Sequence, residues 1–203
     1  MAQIVEDLVN QALIELGYPR RIGQIDEGTP LAIAALEIYV QTRDRLLREK
    51  DWPFARRSLA LTLLKGPPPP GGYNPITPWT SAYPPPGWLY EYTYPADCIK
   101  LGAIVPPPGL MFDLDPTPAQ PRIDNDASLV PPAKVILSNI KDAIAVYYGQ
   151  ITDPSTWEPE FTQAMVDGLK AGLALPVAHE LALVEKAMAA EVAAETQADW
   201  RRG

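Results

Sequence analysis

Histidine and cysteine are almost absent from this sequence. Among its 203 residues it has one of each, His179 and Cys98. A single cysteine cannot form an intramolecular disulfide, and its scarcity favours a reducing compartment. A nucleophilic triad needs a nucleophile, a base and an orienting group, and a zinc site needs three or four nitrogen or sulfur ligands. The sequence therefore predicts no catalytic residues and no metal ligands.

A glycine-rich phosphate-binding loop is also missing, since Gly71 and Gly72 lie inside a proline tract. We therefore expect no cofactor and no enzyme activity. No apolar run approaches the ~20 residues that a membrane helix needs. The first residues, MAQIVEDLVNQ, lack the basic-then-apolar layout of a signal peptide. These two absences predict a soluble cytoplasmic product with no membrane partner.

Basic residues are fewer than acidic ones. The chain has 17 Lys and Arg against 25 Asp and Glu, which gives a formal net charge of −8. Because phosphate contacts dominate nucleic-acid binding, this sign argues against DNA binding as the purpose of the whole molecule. An acidic wall would nevertheless repel phosphate and let a duplex slide past.

Proline is abundant but unevenly placed, and its distribution divides the chain. Eighteen of the 24 prolines lie between Pro67 and Pro132, so the two ends can form helices and the middle cannot. Helical periodicity and end signals predict four helices, with Gly17 ending the first and Pro176 separating the last two. Their predicted ranges are 3–16, 30–50, about 156–175 and about 179–198. The second helix has two apolar stripes, so we expect other structural elements to pack against it on two sides.

The middle of the chain is expected to form strands separated by long turns. Alternation predicts strands at 57–64, 88–94 and 99–105, and a β-hairpin from 134–138 and 143–148. The segments 66–83 and 106–132 are too rich in proline for regular structure. We therefore predict an α+β protein, mainly a bundle of about four helices with a β-rich, proline-rich insertion. The prediction is one domain over 1–203, with a helical core at 1–56 and 154–199, the insertion at 57–153 and a C-terminal tail at 195–203.

Carboxylates offer the alternative of glycoside hydrolysis, which needs a pair of Asp or Glu and no histidine. The candidates in the β region are Glu91, Asp97, Asp113 and Asp115. Charged residues on strands and loops are usually solvated, and no spacing singles out a pair. A peptidoglycan hydrolase stays the alternative function.

Proline runs at 67–70, 84–86 and 106–108 could be polyproline II ligands, so an interaction module is a further alternative. Stiffening of long loops explains the runs equally simply. The aromatic residues among these prolines are candidate anchors for contacts between subunits or with partner proteins, because aromatics concentrate at interfaces. They are Tyr73, Trp79, Tyr83 and Trp88.

Short motifs follow one another along the chain in a particular order. The first helix ends in Leu16-Gly17, the second ends in RDRLLR at 43–48, and a WPFA corner follows at 52–55. An aromatic strand then leads into YTYPADC at 92–98, WEPEF at 157–161 starts a helix, and an alanine-rich helix ends the chain. The large apolar side chains of the corner, Trp52 and Phe54, are expected to be buried.

The order and spacing of these motifs resemble those of phage head-to-tail adaptor proteins, also called tail tubular protein A or head completion proteins. The resemblance implies a structural virion protein that forms a homo-oligomeric ring of twelve copies beneath the portal protein after DNA packaging. The ring would receive a tail nozzle or other tail proteins, and genomic DNA would thread its lumen without sequence-specific binding. The location implied is the neck of the virion, and the host cytoplasm during assembly.

The C-terminal end is the expected site of portal docking. Helix four loses its apolar stripe after Val192, yet the chain continues to Trp200, Arg201 and Arg202. Trp and Arg are enriched among interface hot spots. In the adaptor family the C-terminal end grips portal subunits, so the resemblance implies the same role here. The alternative is that Trp200 caps its own bundle.

Overall fold

The structure is a computed structural model that describes residues 5–67, 69–70, 76, 78–108 and 120–200, without the side chains of 184–185 and 187–200. The chain divides into two compact units. Residues 1–49 and 151–203 form the helical unit, and residues 50–150 form the β unit, which lies between the two helical halves in the sequence.

Three α-helices occur in the described part of the chain: α1 (Val5–Glu15), α2 (Pro30–Glu49) and α3 (Pro159–Trp200). The end signals act as the sequence indicates. Gly17 adopts a left-handed φ of 77° after α1, where an L side chain would be strained. At the start of α2 the backbone N–H of Ala32 donates to Thr29 Oγ1 at 3.2 Å, which makes Thr29 the N-cap ahead of Pro30.

The predicted bundle of about four helices is wrong. The predicted third and fourth helices form one helix, α3, with Pro176 inside it. A proline removes one backbone hydrogen bond and strains the preceding turn, but buried Leu173 and Val177 hold the helix to its unit on both sides of this position. His179 therefore lies within the helix and does not start one. Together with two antiparallel sheets, the three helices make a mixed α and β fold.

The helical unit has its core along the first half of α3, which packs against both α1 and α2. Three aromatic rings lie at the start of this core. The ring of Trp157 lies 4.8 Å from that of Phe161 in an edge-to-face contact and 6.2 Å from that of Tyr39. Further along α3 the core continues through buried Met165, Val166, Leu169 and Leu173.

Two glycines let α2 and α3 approach closely. A Cβ atom built on Gly168 would collide with Thr42 Cγ2, and one on Gly172 would collide with Ile38 Cγ2. The contacts show that both positions exclude a side chain.

The second apolar stripe of α2 is not buried as predicted. Tyr39 and Leu47 are buried, whereas Leu36 and Val40 are 40% and 38% exposed. Ile33, one turn earlier on the same side, is 53% exposed. The described residues therefore leave an apolar stripe of Ile33, Leu36 and Val40 on the surface of α2.

Seven strands form two antiparallel sheets in the described part of the β unit. Sheet A has the order β1-β7-β4, and sheet B has the order β2-β3-β6-β5. The strands are β1 (Arg56–Ala60), β2 (Leu63–Lys65), β3 (Tyr90–Thr93), β4 (Cys98–Val105), β5 (Arg122–Asp126), β6 (Ala133–Ser138) and β7 (Ile144–Gly149).

The predicted strand at 57–64 is two strands in different sheets, β1 and β2. The chain changes sheets at Leu61, which is buried, whereas Leu59 and Leu63 are about half exposed. At the crossing the backbone N–H of Leu61 donates to Ala143, and the carbonyl of Thr62 accepts from Thr93. The alternating leucines therefore do not form one buried face of a strand. Only Leu61, where the chain passes from one sheet to the other, is buried.

The predicted hairpin is also wrong. β6 and β7 both form, but β6 belongs to sheet B and β7 to sheet A. The partner of β6 along the chain is β5, with Arg122 opposite Leu137 and Asp126 opposite Ala133. β5 lies in the segment 106–132 that was predicted to lack regular structure. Its five residues, RIDND, contain no proline, so proline content averaged over the segment concealed a strand.

The core of the β unit lies between the two sheets. Tyr92 and Ile136 of sheet B pack in one cluster with Ile104, Ala145 and Tyr147 of sheet A. The hydroxyl of Tyr92 donates to the carbonyl of Ile140 at 2.7 Å. Because side chains alternate along a strand, the neighbours of Tyr92 and Ile136 point to the other face of sheet B.

The corner at residues 52–55 contains a short 3₁₀ helix (Pro53–Ala55). Trp52 is 5% exposed, which confirms its predicted burial. Phe54 is only half-buried, so its predicted full burial is wrong. The two rings lie 6.1 Å apart, and Lys50 Nζ lies 4.5 Å from the centre of the indole ring.

Candidate functional site

A cavity of about 190 Å³ opens on the face of sheet B that points away from the core of the β unit. Glu91 on β3 lies opposite Leu137 on β6, and Val135 lies two residues earlier on the same face. The other lining residues come from both edge strands and from the loop before β3: Lys65, Trp79, Ser81, Tyr83, Pro85, Asp124, Asn125 and Asp126.

Three charged side chains meet at the base of this cavity. Lys65 Nζ lies 2.5 Å from Asp126 Oδ2, 3.2 Å from Ser128 Oγ and 3.3 Å from Glu91 Oε1. The Glu91 side chain is 1% exposed, and those of Lys65 and Asp126 are 12% and 11% exposed. Glu91 was expected to be solvated, and its burial shows that this expectation is wrong.

The contact between Lys65 and Asp126 joins the two edges of sheet B, since β2 and β5 are its outer strands. In a flat sheet, strands three places apart would be separated by about 14 Å. A lysine and an aspartate side chain cannot close that distance while lying flat. Sheet B is therefore strongly curled, and its curl forms the cavity.

The carboxyl group of Glu91 binds a proton more tightly than an ordinary glutamate does. Burial raises the pKa of the Glu91 carboxyl, and the hydrogen bond that it shares with Asp126 raises it further. Burial pushes the pKa of Asp126 in the same direction, but hydrogen bonds from Lys65 and Ser128 outweigh burial and lower it below its usual range. The pKa of Lys65 is raised, because its contacts with the two carboxyl groups outweigh burial. The cluster thus places the ion pair of Lys65 and Asp126 beside a carboxyl group with a raised pKa.

Two neighbouring carboxyl groups with widely separated pKa values are the pairing that glycosidases use, but the geometry here differs. Retaining enzymes separate the two carboxyl groups by about 5–5.5 Å and inverting enzymes by about 6.5–9.5 Å. Glu91 and Asp126 instead share a hydrogen bond, and Lys65 bridges them. A glycosidic bond has no room between them, so the cluster argues against the hydrolase alternative.

An aromatic and proline loop forms one wall of the cavity. Trp79 is 45% exposed, and its indole N–H donates to the carbonyl of Pro84 at 2.9 Å, which fixes the ring. Tyr83 is half-buried beside it, and Pro84 is buried. Because Pro84 packs within its own unit, the run at 84–86 does not present a free polyproline ligand.

The structure brings together two of the four aromatic residues predicted as contact anchors. Trp79 and Tyr83 line the cavity, whereas the half-buried Trp88 does not. Tyr73 lies outside the described residues. At the C-terminal end, Trp200 is the last residue of α3 but its side chain is not described, and Arg201 and Arg202 lie outside the described residues.

The single cysteine and histidine lie apart from this site. Cys98 is half-buried at the start of β4, and burial raises the pKa of its thiol, which disfavours the reactive thiolate. Its neighbour Asp97 accepts hydrogen bonds from Tyr147 Oη at 2.9 Å and from Arg57. His179 lines a separate, mainly apolar cavity of about 320 Å³ with Pro30, Pro176 and Leu183.

Sequence reasoning missed Lys65 and Asp126 and misread Glu91. The only available signal was Glu91 itself, a charged residue between Tyr90 and Tyr92 in an otherwise aromatic strand. Among the described residues no group of three or more His, Cys, Asp or Glu side chains could hold a metal ion. No described helix combines the length and apolar character needed to cross a bilayer. Comparison of the sequence with protein-family models finds no match, and comparison with curated proteins finds none either.

Proposed function

We propose that this chain is a structural virion protein, a head-to-tail adaptor that forms a ring beneath the portal protein after DNA packaging. The ring, of twelve copies, provides the platform for a tail nozzle or other tail proteins, and genomic DNA passes through its lumen. The protein acts by assembly and not by catalysis. Its place is the neck of the virion, after a stage in the host cytoplasm.

The observation that carries this proposal is the apolar surface of the helical unit. The stripe of Ile33, Leu36 and Val40 on α2 is exposed, and on α3 Leu175 is 80% and Leu183 53% exposed. Contiguous exposed apolar residues mark interaction surfaces in soluble proteins. A protomer that is completed by its neighbours in a ring accounts for them.

The packing of the motif residues gives further support. Trp157 and Phe161 of the WEPEF motif are 8% and 0% exposed at the start of α3, and Arg43 of the RDRLLR motif is 6% exposed near the end of α2. Arg43 pairs with Asp44 at 2.8 Å. The residues that carry the resemblance thus build the protomer, as expected for a family whose motifs act by packing.

The negative charge of the chain fits the same function. A lumen wall that bound phosphate tightly would hold the genome in place. The chain has 25 acidic and 17 basic residues, and this excess of negative charge repels phosphate. The assembly needs affinity for protein partners and none for DNA.

Electron microscopy of the purified protein mixed with its portal tests the proposal. We expect twelve-fold rings on the tail-facing end of the portal. Failure of the folded protein to bind the portal would contradict the proposal, and turnover of peptidoglycan by the protein would favour the hydrolase instead.

The stripe on α2 can be tested separately. Leu36→Asp should prevent ring formation while leaving the protomer folded, because this side chain is 40% exposed. Gln41→Asp, an exposed position off the stripe on the same helix, is the matched control and should assemble normally. Normal rings from Leu36→Asp would show that the stripe is not a subunit contact.

A further inference from the structure

The cavity on sheet B contains a hydrogen-bond acceptor that the described residues leave unsatisfied. Glu91 Oε1 is buried and accepts no hydrogen bond, although Lys65 Nζ lies 3.3 Å away. The ammonium group of Lys65 is directed instead at Asp126 and Ser128. An unsatisfied buried polar atom is unfavourable, so a donor that enters the cavity and reaches Oε1 would relieve that cost.

The charge of the cavity favours a cation. Lys65 and Asp126 neutralise each other through the 2.5 Å contact. The remaining carboxyl groups that line the cavity are those of Glu91 and Asp124. Asp124 pairs only loosely with Arg122, at 3.5 Å, and the Arg122 side chain is 65% exposed. Within the described lining, the acidic groups therefore outnumber the basic one.

The wall of the cavity supplies an aromatic face. The indole of Trp79 is held in position by its hydrogen bond to Pro84 and is 45% exposed. Cations are attracted to the face of an aromatic ring, most strongly to that of tryptophan. A planar cation can lie against the ring and still donate to carboxyl groups at its edge.

We propose that this cavity binds a guanidinium group, such as the end of an arginine side chain, between Trp79 and the carboxyl groups of Glu91 and Asp124. The flat shape suits the indole, and several N–H groups in one plane suit acceptors that come from different strands. An ammonium group would offer a single point of charge, and the position nearest Asp126 already holds one in Lys65. The site uses residues of the β unit alone and does not depend on ring formation.

Titration of the full chain with N-acetyl-arginine amide, followed by NMR, tests the site directly. We expect saturable binding in the millimolar range that shifts the indole N–H signal of Trp79 and the backbone amide of Asn125. N-acetyl-citrulline amide has nearly the same shape without the charge and should not bind. N-acetyl-lysine amide should bind more weakly than the arginine compound.

Two variants at exposed lining positions test the contacts. Trp79→Ala should weaken binding by about two- to five-fold through loss of the aromatic face. Asp124→Asn should weaken it by about ten-fold, because a charge-assisted hydrogen bond becomes a neutral one. Asp142→Asn removes an exposed carboxylate outside the cavity and should bind like the wild type.

Three results would overturn the proposal. They are an absence of saturable binding, equal binding of the citrulline or lysine compound, and unchanged binding by folded Trp79→Ala and Asp124→Asn proteins. None of these measurements involves the portal, so failure of the guanidinium site and failure of the adaptor function are distinguishable.

Discussion

The cluster of Lys65, Glu91 and Asp126 shows how buried ionisable residues shift one another's pKa values. A buried ion pair alone adds little stability, since desolvation offsets the attraction between its charges. Here the third member, Glu91, shares a hydrogen bond with Asp126 and has a raised pKa. The cluster therefore joins both edges of sheet B through one lysine and two carboxyl groups.

The protonation of Glu91 makes stability depend on pH in a defined direction. Its pKa in the fold is raised above the ordinary value of 4.5, so the fold holds this proton more tightly than the unfolded chain does. The resulting stability is complete below pH 4.5 and is lost as the pH rises through the raised pKa. Glu91→Gln keeps the shape and stays neutral, so the free energy of unfolding of the wild type should fall relative to that of the variant as the pH rises.

Urea unfolding from about pH 4.5 to about pH 8 measures this difference. The lowered pKa of Asp126 acts in the opposite sense, because its contribution is lost as the pH falls below the ordinary value of 3.8. Staying above that pH keeps Asp126 ionised in both proteins. A constant difference between wild type and variant across the range would show that folding does not raise the pKa of Glu91.

The corner residues Trp52 and Phe54 differ in burial, and their truncation should differ accordingly. Trp52→Ala is expected to cost about 3–5 kcal/mol, the usual range for a buried aromatic residue. Phe54→Ala should cost about 1–2 kcal/mol, because the ring keeps part of its surface in water. Chemical denaturation of the two variants gives the comparison, and an equal or larger cost at Phe54 would contradict it.

Part of the site was readable from single residues. Aromatic side chains among prolines singled out Trp79 and Tyr83, because exposed aromatics in loops are unusual enough to suggest a contact. Lys65 and Asp126 carried no such signal. They are 61 residues apart and meet only because sheet B curls, and curl depends on strand order that no local pattern encodes.

At the scale of elements, local chemistry predicted the ends of helices well and their interiors less well. Gly17 and Thr29 act through atoms within a few residues, so their roles follow from sequence alone. The effect of Pro176 depends on how firmly the flanking turns are held, and buried Leu173 and Val177 outweigh one lost hydrogen bond. Tertiary packing thus decided that α3 continues past Pro176.

The contact between α2 and α3 gives a prediction opposite to ordinary helix propensity. In an exposed helix, replacing glycine by alanine stabilises by up to about 1 kcal/mol. Gly168→Ala should instead destabilise by about 1–3 kcal/mol, because the new methyl group collides with Thr42 and forces the helices apart. Thermal or urea unfolding measures the change.

The matched control is the same substitution in a Thr42→Ala background, which removes the methyl group that Gly168 accommodates. There Gly168→Ala should be neutral or stabilising, and the double-mutant cycle isolates the contact. A loss of stability that is the same in both backgrounds would place the strain elsewhere.

At the scale of the whole molecule, the sequence located a β-rich segment between helical halves but not the pairing of its strands. Pairings such as that of Arg56 with Tyr148 join residues far apart in the chain, and many arrangements satisfy the same alternation. The predicted hairpin of β6 and β7 was the simplest local solution. The two sheets instead share the segment 56–65, which contributes one strand to each.

Truncation of the chain tests the proposed docking tail. Deleting residues 195–203 should abolish co-purification with the portal while leaving the thermal melt almost unchanged. The predicted apolar stripe of the last helix ends at Val192, and the proposed docking residues Trp200, Arg201 and Arg202 come after it. Chain termini contribute little to stability. A truncated protein that still binds the portal would contradict the proposed role, and a lowered melting temperature would favour Trp200 as a cap of its own unit.

The pairing of β1 with β7 has a consequence for the order of folding. Arg56 lies opposite Tyr148, so this ladder draws together the two points at which the chain leaves and re-enters the helical unit. Without it, α2 and α3 must find each other across a disordered segment of about 100 residues. With it, the effective loop is about ten residues, which lowers the entropic cost of closure by about 2 kcal/mol. Folding of the β unit first would therefore speed the association of α2 with α3.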